Sequence, residues 1–392
     1  MLTPESLPRF QAAIAQAGLD GWLLYDFRGC NPIAQAMANI GGHITRRILV
    51  WIPRQGAPVA ITHAIEQTIW HAWPNEFGKV VYSSWRALEA AVATLVRGKR
   101  IAMEYSPGDA VPVVDRVPAG VLEMVRAAGA EVVSSGDLVT TFYAIWTPDQ
   151  LAAHQRAAEH VARVAREAMQ LAGGRARGGR AMAEHELQQW IMDAFAKVGL
   201  SADHPANVSV GSNAANPHYQ PSADHVVPIE IGSVILIDLW ATEPNGVYAD
   251  QTFMGSIGTP SDRVQEIWRA VRDARDAAIQ ATRARAESRA VARGAEIDDA
   301  ARGVITARGF GEFFTHRTGH SIDARELHGA GPNLDNLETR EERLLLPGVG
   351  FSIEPGIYIR GEIGVRSEVN AYYGDGSLII TPSEYQHDMY VL

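Results

Sequence analysis

Hydrophobic and polar positions in the first 145 residues alternate between helical and strand periods. Apolar residues three and four apart predict a helix over residues 5–18, ended by Gly18. LDGWLLYD reads as a strand, and RRILVWIP and APVAITH read as two more, with a turn at RQGAP between them. Amphipathic helices are predicted over residues 85–97 and 118–128, each followed by a short strand, KRIAMEY and AEVVSS. Helices and strands in alternation predict an α/β layer with a mostly buried sheet.

The pattern changes at TPDQ. Thr147 is a capping residue, Pro148 suits the first helical turn and an acid follows, so a helix is predicted from there to about Leu171. GGRARGG at 173–179 reads as a loop with two solvated arginines, and a second helix covers about 182–198. After Gly199 the period returns to two: ANVSVG, SVILIDLWAT and VYADQTFMGSI read as strands. A long helix with alternating charges follows over about 262–292, then a shorter one over 296–308, then strands and turns to the end. Two helices and a set of strands, given twice, predict an α+β domain with internal duplication. Two domains are expected, 1–147 and 148–392, since 392 residues exceed one ordinary core.

Composition excludes several classes. With 46% hydrophobic and 20% charged residues the chain reads as an ordinary globular protein. A net charge of -10 argues against a nucleic-acid partner. A single cysteine, Cys30, excludes an intrachain disulfide and a thiolate zinc site, and is expected to be buried and inert. No signal-peptide pattern opens the chain, and the most apolar stretch, VVPIEIGSVILIDLW, is too short and too charged to span a bilayer. These features read as a cytoplasmic protein. No GxSxG, phosphate-binding glycine loop or dinucleotide fingerprint is present, and His185-Glu186 lacks the second histidine of a zinc helix motif.

Chemistry concentrates in the second domain. Asp238 sits inside VILIDLW, Glu354 inside FSIEPGIYI and Glu368 inside GVRSEVNAYY, and a carboxylate in an apolar strand is costly unless compensated. Between Asp238 and Asp250 lies the turn signal ATEPNG, and a hairpin centred near Pro244 would set the two aspartates opposite each other. A turn centred on Gly361 likewise sets Glu354 opposite Glu368. Facing carboxylates repel, and divalent metal between them removes that cost. Two such pairs plus His320, in HRTGH, form a site for two divalent ions, Mn²⁺ or Co²⁺ more than Zn²⁺, suited to hydrolysis through a bridging water. Ordinary salt bridges are the competing reading, but Arg366 is the only base close in sequence to any of the four acids.

These motifs resemble the "pita-bread" metallopeptidases, the family of prolidase, aminopeptidase P, methionine aminopeptidase and creatinase. IDLW…YADQT resembles the two-aspartate hairpin, FFTHRTGHSID the histidine segment, FSIEPGIY the glutamate strand, GVRSEVN the last strand and VSVGSNAANPHYQPS the substrate-histidine segment. The resemblance covers about residues 150–390, and the first domain is similar only in architecture to the smaller domain of prolidase. It implies a pita-bread catalytic domain behind an α/β domain that limits access and packs against a partner subunit in a homodimer. It further implies that Asp238 chelates one metal ion, that His320 and Glu354 hold the other, and that Asp250 and Glu368 bridge both. Glu354 would be the general base, His218 and His328 would contact the substrate and the developing oxyanion, and Arg366 would hold a carboxylate. His316 is either close to this site or a core or capping residue.

The ligands survive several departures from the family pattern, beginning with Asp238 and Asp250, which stand one residue further apart than is common. Phe253 stands where an arginine is usual, Ser321 and Asp323 replace glycines, and His328 is one residue late and followed by Gly329. The large first domain argues against methionine aminopeptidase, and the intact ligands argue against creatinase. The expected activity is therefore hydrolysis of Xaa-Pro dipeptides, with an aminopeptidase acting on longer Xaa-Pro peptides as the alternative and a silent peptide-binding member as the rival from another class.

Overall fold

The structure, a computed structural model, describes all 392 residues. It divides into two compact units, Met1–Tyr143 and Ala144–Leu392.

The first unit runs α1 (Leu7–Gln16), β1 (Gly21–Asp26), α2 (Pro32–Ala38), β2 (Ile48–Pro53), β3 (Val59–His63) and β4 (Gly78–Tyr82). It continues with α3 (Trp85–Val96), β5 (Arg100–Met103), α4 (Ala119–Ala127), β6 (Glu131–Ser134) and the single-turn α5 (Gly136–Val139). The strands form one mixed sheet in the order β4-β3-β2-β1-β5-β6. Every residue of β1 is buried, which is why GWLLYD reads as a continuous apolar run instead of an alternating one. Leu88, Val92 and Val96 of α3 and Val121, Leu122 and Val125 of α4, at helical spacing, cover the sheet. Cys30 is exposed, not buried as expected, because it lies in the loop between β1 and α2.

The second unit is two helix pairs, each laid on its own strands. The first half contains α6 (Pro148–Arg177), α7 (Glu184–Lys197), β7 (Asn207–Val210), β8 (Val234–Ala241) and β9 (Ala249–Ser256). The second contains α8 (Asp262–Ser288), α9 (Gly294–Ala307), β10 (Ser321–Ile322), β11 (Val349–Ile353), β12 (Gly356–Ile359), β13 (Ile363–Arg366), β14 (Val369–Gly374) and β15 (Ser377–Thr381). A last strand, β16 (Tyr390–Val391), returns to β9, giving sheets β16-β9-β8-β7, β10-β11-β14-β15 and β12-β13. Each helix pair covers its own hydrophobic cluster, and the second cluster also takes Ala214, Leu236 and Met254 from the first half. Ala158, Val161 and Ala165 of α6 meet Ile237, Leu239 and Phe253, whereas Val271, Ala274 and Ala278 of α8 belong with Phe351, Val365 and Ala371.

Thr147 caps α6 as its sequence predicts, in a reciprocal box with Gln150. That helix does not stop before GGRARGG. It continues to Arg177, because Gly173 is used for close approach: a Cβ there would lie 2.7 Å from the Leu392 side chain. The helix predicted to reach 292 ends instead at Ser288, where Arg289 takes a left-handed conformation. No helix is long and apolar enough to cross a membrane.

Candidate metal and peptide site

Two hairpins bring the carboxylates together. In the β8–β9 ladder Asp238 pairs with Thr252, and Asp250 pairs with Trp240. Asp238 therefore does not face Asp250 as expected. The turn centres on Asn245, which takes the positive φ of 62°, one residue past Pro244. Moving the centre by one residue moves the partner by two, which preserves the face, so the aspartates become diagonal neighbours on one side. In the second hairpin the expected centre, Gly361, holds. The β11–β14 ladder ends at Ile353↔Val369 and the β12–β13 ladder begins at Gly356↔Arg366, in one common register. Glu354 and Glu368 stand opposite each other in the gap between these ladders.

His320, just before β10, joins the two pairs. Its Nε2 lies 3.2 Å from Asp250 Oδ2 and 3.5 Å from Glu354 Oε1, and its Nδ1 lies 3.0 Å from the Ser321 carbonyl. A carbonyl on Nδ1 favours the tautomer that leaves Nε2 free to ligate. Arg366 meets four groups at once. It pairs with Asp238, its Nη1 lies 3.8 Å from Glu354, its Nε lies 3.9 Å from Glu368, and Nε donates to Thr252 Oγ1 at 2.8 Å. This refines the expectation for Arg366, whose guanidinium holds the protein's own acids.

One guanidinium does not balance four carboxylates. Burial, with the neighbouring acids, pushes the carboxyls of Asp238 up to about 6 and Asp250 up to about 8, and raises Glu368 well above the usual range. Burial pushes Glu354 up as well, but His320 and Arg366 outweigh it and hold the group ionised, down to about 2. Burial depresses His320, against the opposing pull of the Glu354 charge. Asp250 Oδ1 and Glu368 Oε1 are buried without any hydrogen-bond partner. Orphaned buried oxygens of this kind are rare in proteins and costly. The ligating atoms of Asp250, His320 and Glu368 lie within 4.8 Å of one another, a set of two carboxylates and an imidazole that fits a divalent cation.

Polar residues missed in the sequence hold these groups in place, and all stand two positions along the strand from a carboxylate, on its face. Thr252 donates to Glu368 Oε2 at 2.7 Å, and Ser352 donates to Glu354 Oε1 at 3.0 Å while accepting the His320 N–H at 2.9 Å. Asn370 exchanges two hydrogen bonds with the Asp250 backbone, at 2.9 and 2.7 Å, and thereby joins β14 to β9. A period-two run of polar residues around each acid was the available signal.

The carboxylates open into a cavity of about 1060 Å³. His218, His328, His316, Arg317 and Trp240 are among the residues that line it. The structure thus gathers all the expected site residues on one cavity. The His328 ring stands edge-on to His320, with centroids 4.2 Å apart, and His320 together with burial holds it down to about 4. His316 lies close to the site and not in a remote core: its Nε2 is 2.8 Å from the Tyr358 hydroxyl. His218 is exposed on a loop anchored by the buried Glu184, which accepts from Val210 N–H at 2.6 Å, from Asn213, and from the Tyr219 hydroxyl at 2.6 Å. Gly364 lets β13 approach that loop, since a Cβ would lie 1.7 Å from the Ala214 carbonyl.

The architecture is that of a pita-bread domain together with a smaller α/β unit. Solved structures of dipeptidase PepE from Mycobacterium ulcerans and of prolidase from Thermococcus sibiricus share it. Their TM-scores are 0.72 and 0.65 at 23% and 24% identity, covering 99% and 100% of this chain and 97% and 100% of theirs. The model of metallopeptidase family M24 matches residues 152–372, and the chain belongs to that family. Membership implies divalent metal ions, for which the Asp250–His320–Glu368 cluster is a fitting site. A Xaa-Pro dipeptidase of Lactobacillus helveticus is 39% identical over 161 residues, which is 41% of this chain and 40% of that protein. The match spans under half of that curated relative's length.

Proposed function

We propose that the protein is a cytoplasmic, homodimeric Xaa-Pro dipeptidase that hydrolyses its substrate with two divalent ions, Mn²⁺ foremost. The observation that carries this reading is the cluster of four carboxylates, two of them buried, against one arginine, with two oxygens left unpaired beside a peptide-sized cavity. The named Xaa-Pro dipeptidase relative supports the substrate class. Exposed Ile65, Val81 and Trp85 near β4, an edge strand of the first sheet, support pairing with a second copy.

Asp238, Asp250, His320, Glu354 and Glu368 would hold the ions. When bound, divalent ions supply Lewis acidity, which lowers the pKa of a water and polarises a carbonyl. Glu354, held ionised, accepts a proton from the attacking water and returns it to the prolyl nitrogen as the carbon–nitrogen bond breaks. Arg366 fixes Asp238, and Ser352 aims Glu354. His218 and His328 face the cavity as contacts for the substrate and its developing oxyanion.

Ala-Pro and Ala-Pro-Ala, compared under Mn²⁺, Co²⁺ and Zn²⁺, test the reading. Cleavage of Ala-Pro is the expected result. Alanine released from the tripeptide alone would give the aminopeptidase reading, and no hydrolysis with near-zero bound metal would give the silent member.

A further inference from the structure

The sheet face that carries the ligand acids continues toward the β8–β9 turn, and its character changes there. Asn207 stands directly opposite Asp238, and Trp240 directly opposite Asp250. Positions two apart share a face, so these four side chains point the same way, and all four line the cavity. Tyr248, two residues before Asp250, extends the same face. Holding ions and moving the proton use neither Asn207 nor Trp240.

Two features make this outer face receptive to a cation. The first is an acid held against an aromatic ring. A bridge from Ser201 to Thr242 brings the segment before β7 alongside β8, and there Trp240 Nε1 donates to Asp203 Oδ1 at 2.7 Å. The His204 N–H meets the same oxygen at 3.0 Å, so Oδ2 is free to accept. Asp203 is exposed and lines the cavity. After burial and the Glu354 and Arg366 charges, its charge still acts on the Asp250 carboxyl, and after burial it raises the Tyr248 hydroxyl, so it stands close to the hydrolytic centre. The second feature is a buried acceptor without a donor. Asn207 is 3% exposed, and its Nδ2 donates to the Pro217 carbonyl at 3.2 Å. That bond leaves Oδ1 as the amide atom with no partner. A buried oxygen of this kind on a cavity wall stays unsatisfied until a donor enters.

A carboxylate pairs with an ammonium or guanidinium group, an aromatic face takes part of the charge and covers an apolar stem, and an amide oxygen accepts a further N–H. These groups together suit a lysine or arginine side chain. In an Xaa-Pro dipeptide only Xaa can supply one. The α-ammonium stays beside the scissile carbonyl, whereas a long cationic side chain reaches past the ligand acids to the far edge of the indole.

We propose that Asp203, Trp240 and Asn207 form a subsite for the cationic side chain of the first residue, so that Lys-Pro and Arg-Pro are favoured substrates. The proposal rests on the peptidase reading above and deepens it. Metal-loaded enzyme should cleave Lys-Pro with a kcat/KM about three- to tenfold above that for norleucyl-proline, whose stem is similar but uncharged. Asp203→Asn should remove that preference through the Lys-Pro value alone, changing norleucyl-proline by less than about twofold, and Asp203→Glu should keep most of it. Calorimetry supplies a readout without turnover: wild type binds L-lysine more tightly than L-norleucine, and Asp203→Asn makes the two equal. A wild type without either preference, a preference that survives Asp203→Asn, or equal losses on both dipeptides would overturn the assignment. Failure of the peptidase reading is separately visible, as a wild type inactive on Ala-Pro, Lys-Pro and norleucyl-proline alike, and the calorimetric difference then still decides the subsite.

Discussion

Glu104 in the first unit and the Asp250–Glu368 pair in the second are buried acids solved in opposite ways. Glu104 is fully buried, yet both its oxygens are met by neutral donors: Trp22 Nε1 at 2.6 Å, Asn31 Nδ2 at 2.9 Å and Ser135 Oγ at 3.1 Å. Burial still pushes it up to about 7. Asp250 and Glu368 each keep one oxygen with no partner, beside two further carboxylates. A structural acid recruits donors until it is satisfied, and a ligand keeps lone pairs free at a cost in apo stability. Satisfaction, more than burial, separates the two roles.

The strongest test of that contrast is activity. Glu354→Gln should lower kcat by about a thousandfold while the fold persists, and full activity in that variant would remove Glu354 as the base. Next is Glu104→Ala, which orphans three donors and should cost about 3 kcal/mol in denaturant unfolding without changing turnover per folded molecule. A loss of turnover instead would break the division between structural and ligand acids.

The pH dependence of stability follows from the same residue. Glu104 titrates near 7 in the folded chain against an ordinary 4.5, so the folded state binds the extra proton between these values. Its contribution is fully present below 4.5 and is lost as pH rises through 7, on the order of 3 kcal/mol. Unfolding curves from pH 5 to 8 should show this slope in wild type and lack it in Glu104→Ala. Metal should give the smallest thermal effect. Mn²⁺ at a hundredfold excess over its dissociation constant adds about 2.7 kcal/mol, a chelator removes it, and Asp250→Asn abolishes the response. A Mn²⁺ response retained in Asp250→Asn would place the ion elsewhere.

The ligand acids were legible in the sequence because each interrupts an apolar strand, where charge is conspicuous. The centre of the second hairpin was legible from Gly361, whereas that of the first was set one residue early at Pro244, although a proline ring forbids positive φ and Asn245 is the one of the two that can take it. Glu104 and Glu184 were invisible as buried acids. Their partners come from positions 22, 31 and 135, and from 210, 213 and 219, and no local pattern announces such pairings. Gly173 reads as a helix breaker until Leu392 is seen against it.

The reciprocal bonds between Asn370 and the Asp250 backbone have a consequence for assembly. They join two halves whose helix pairs cover different clusters, and the acids are divided across that seam: Asp238 and Asp250 from one side, His320, Glu354 and Glu368 from the other. Neither half alone carries the whole of the proposed ligand set, so on that reading tight ion uptake would wait until both halves have docked. A metal titration of this chain would then count finished molecules, with the ion as an inspector of the last step of folding.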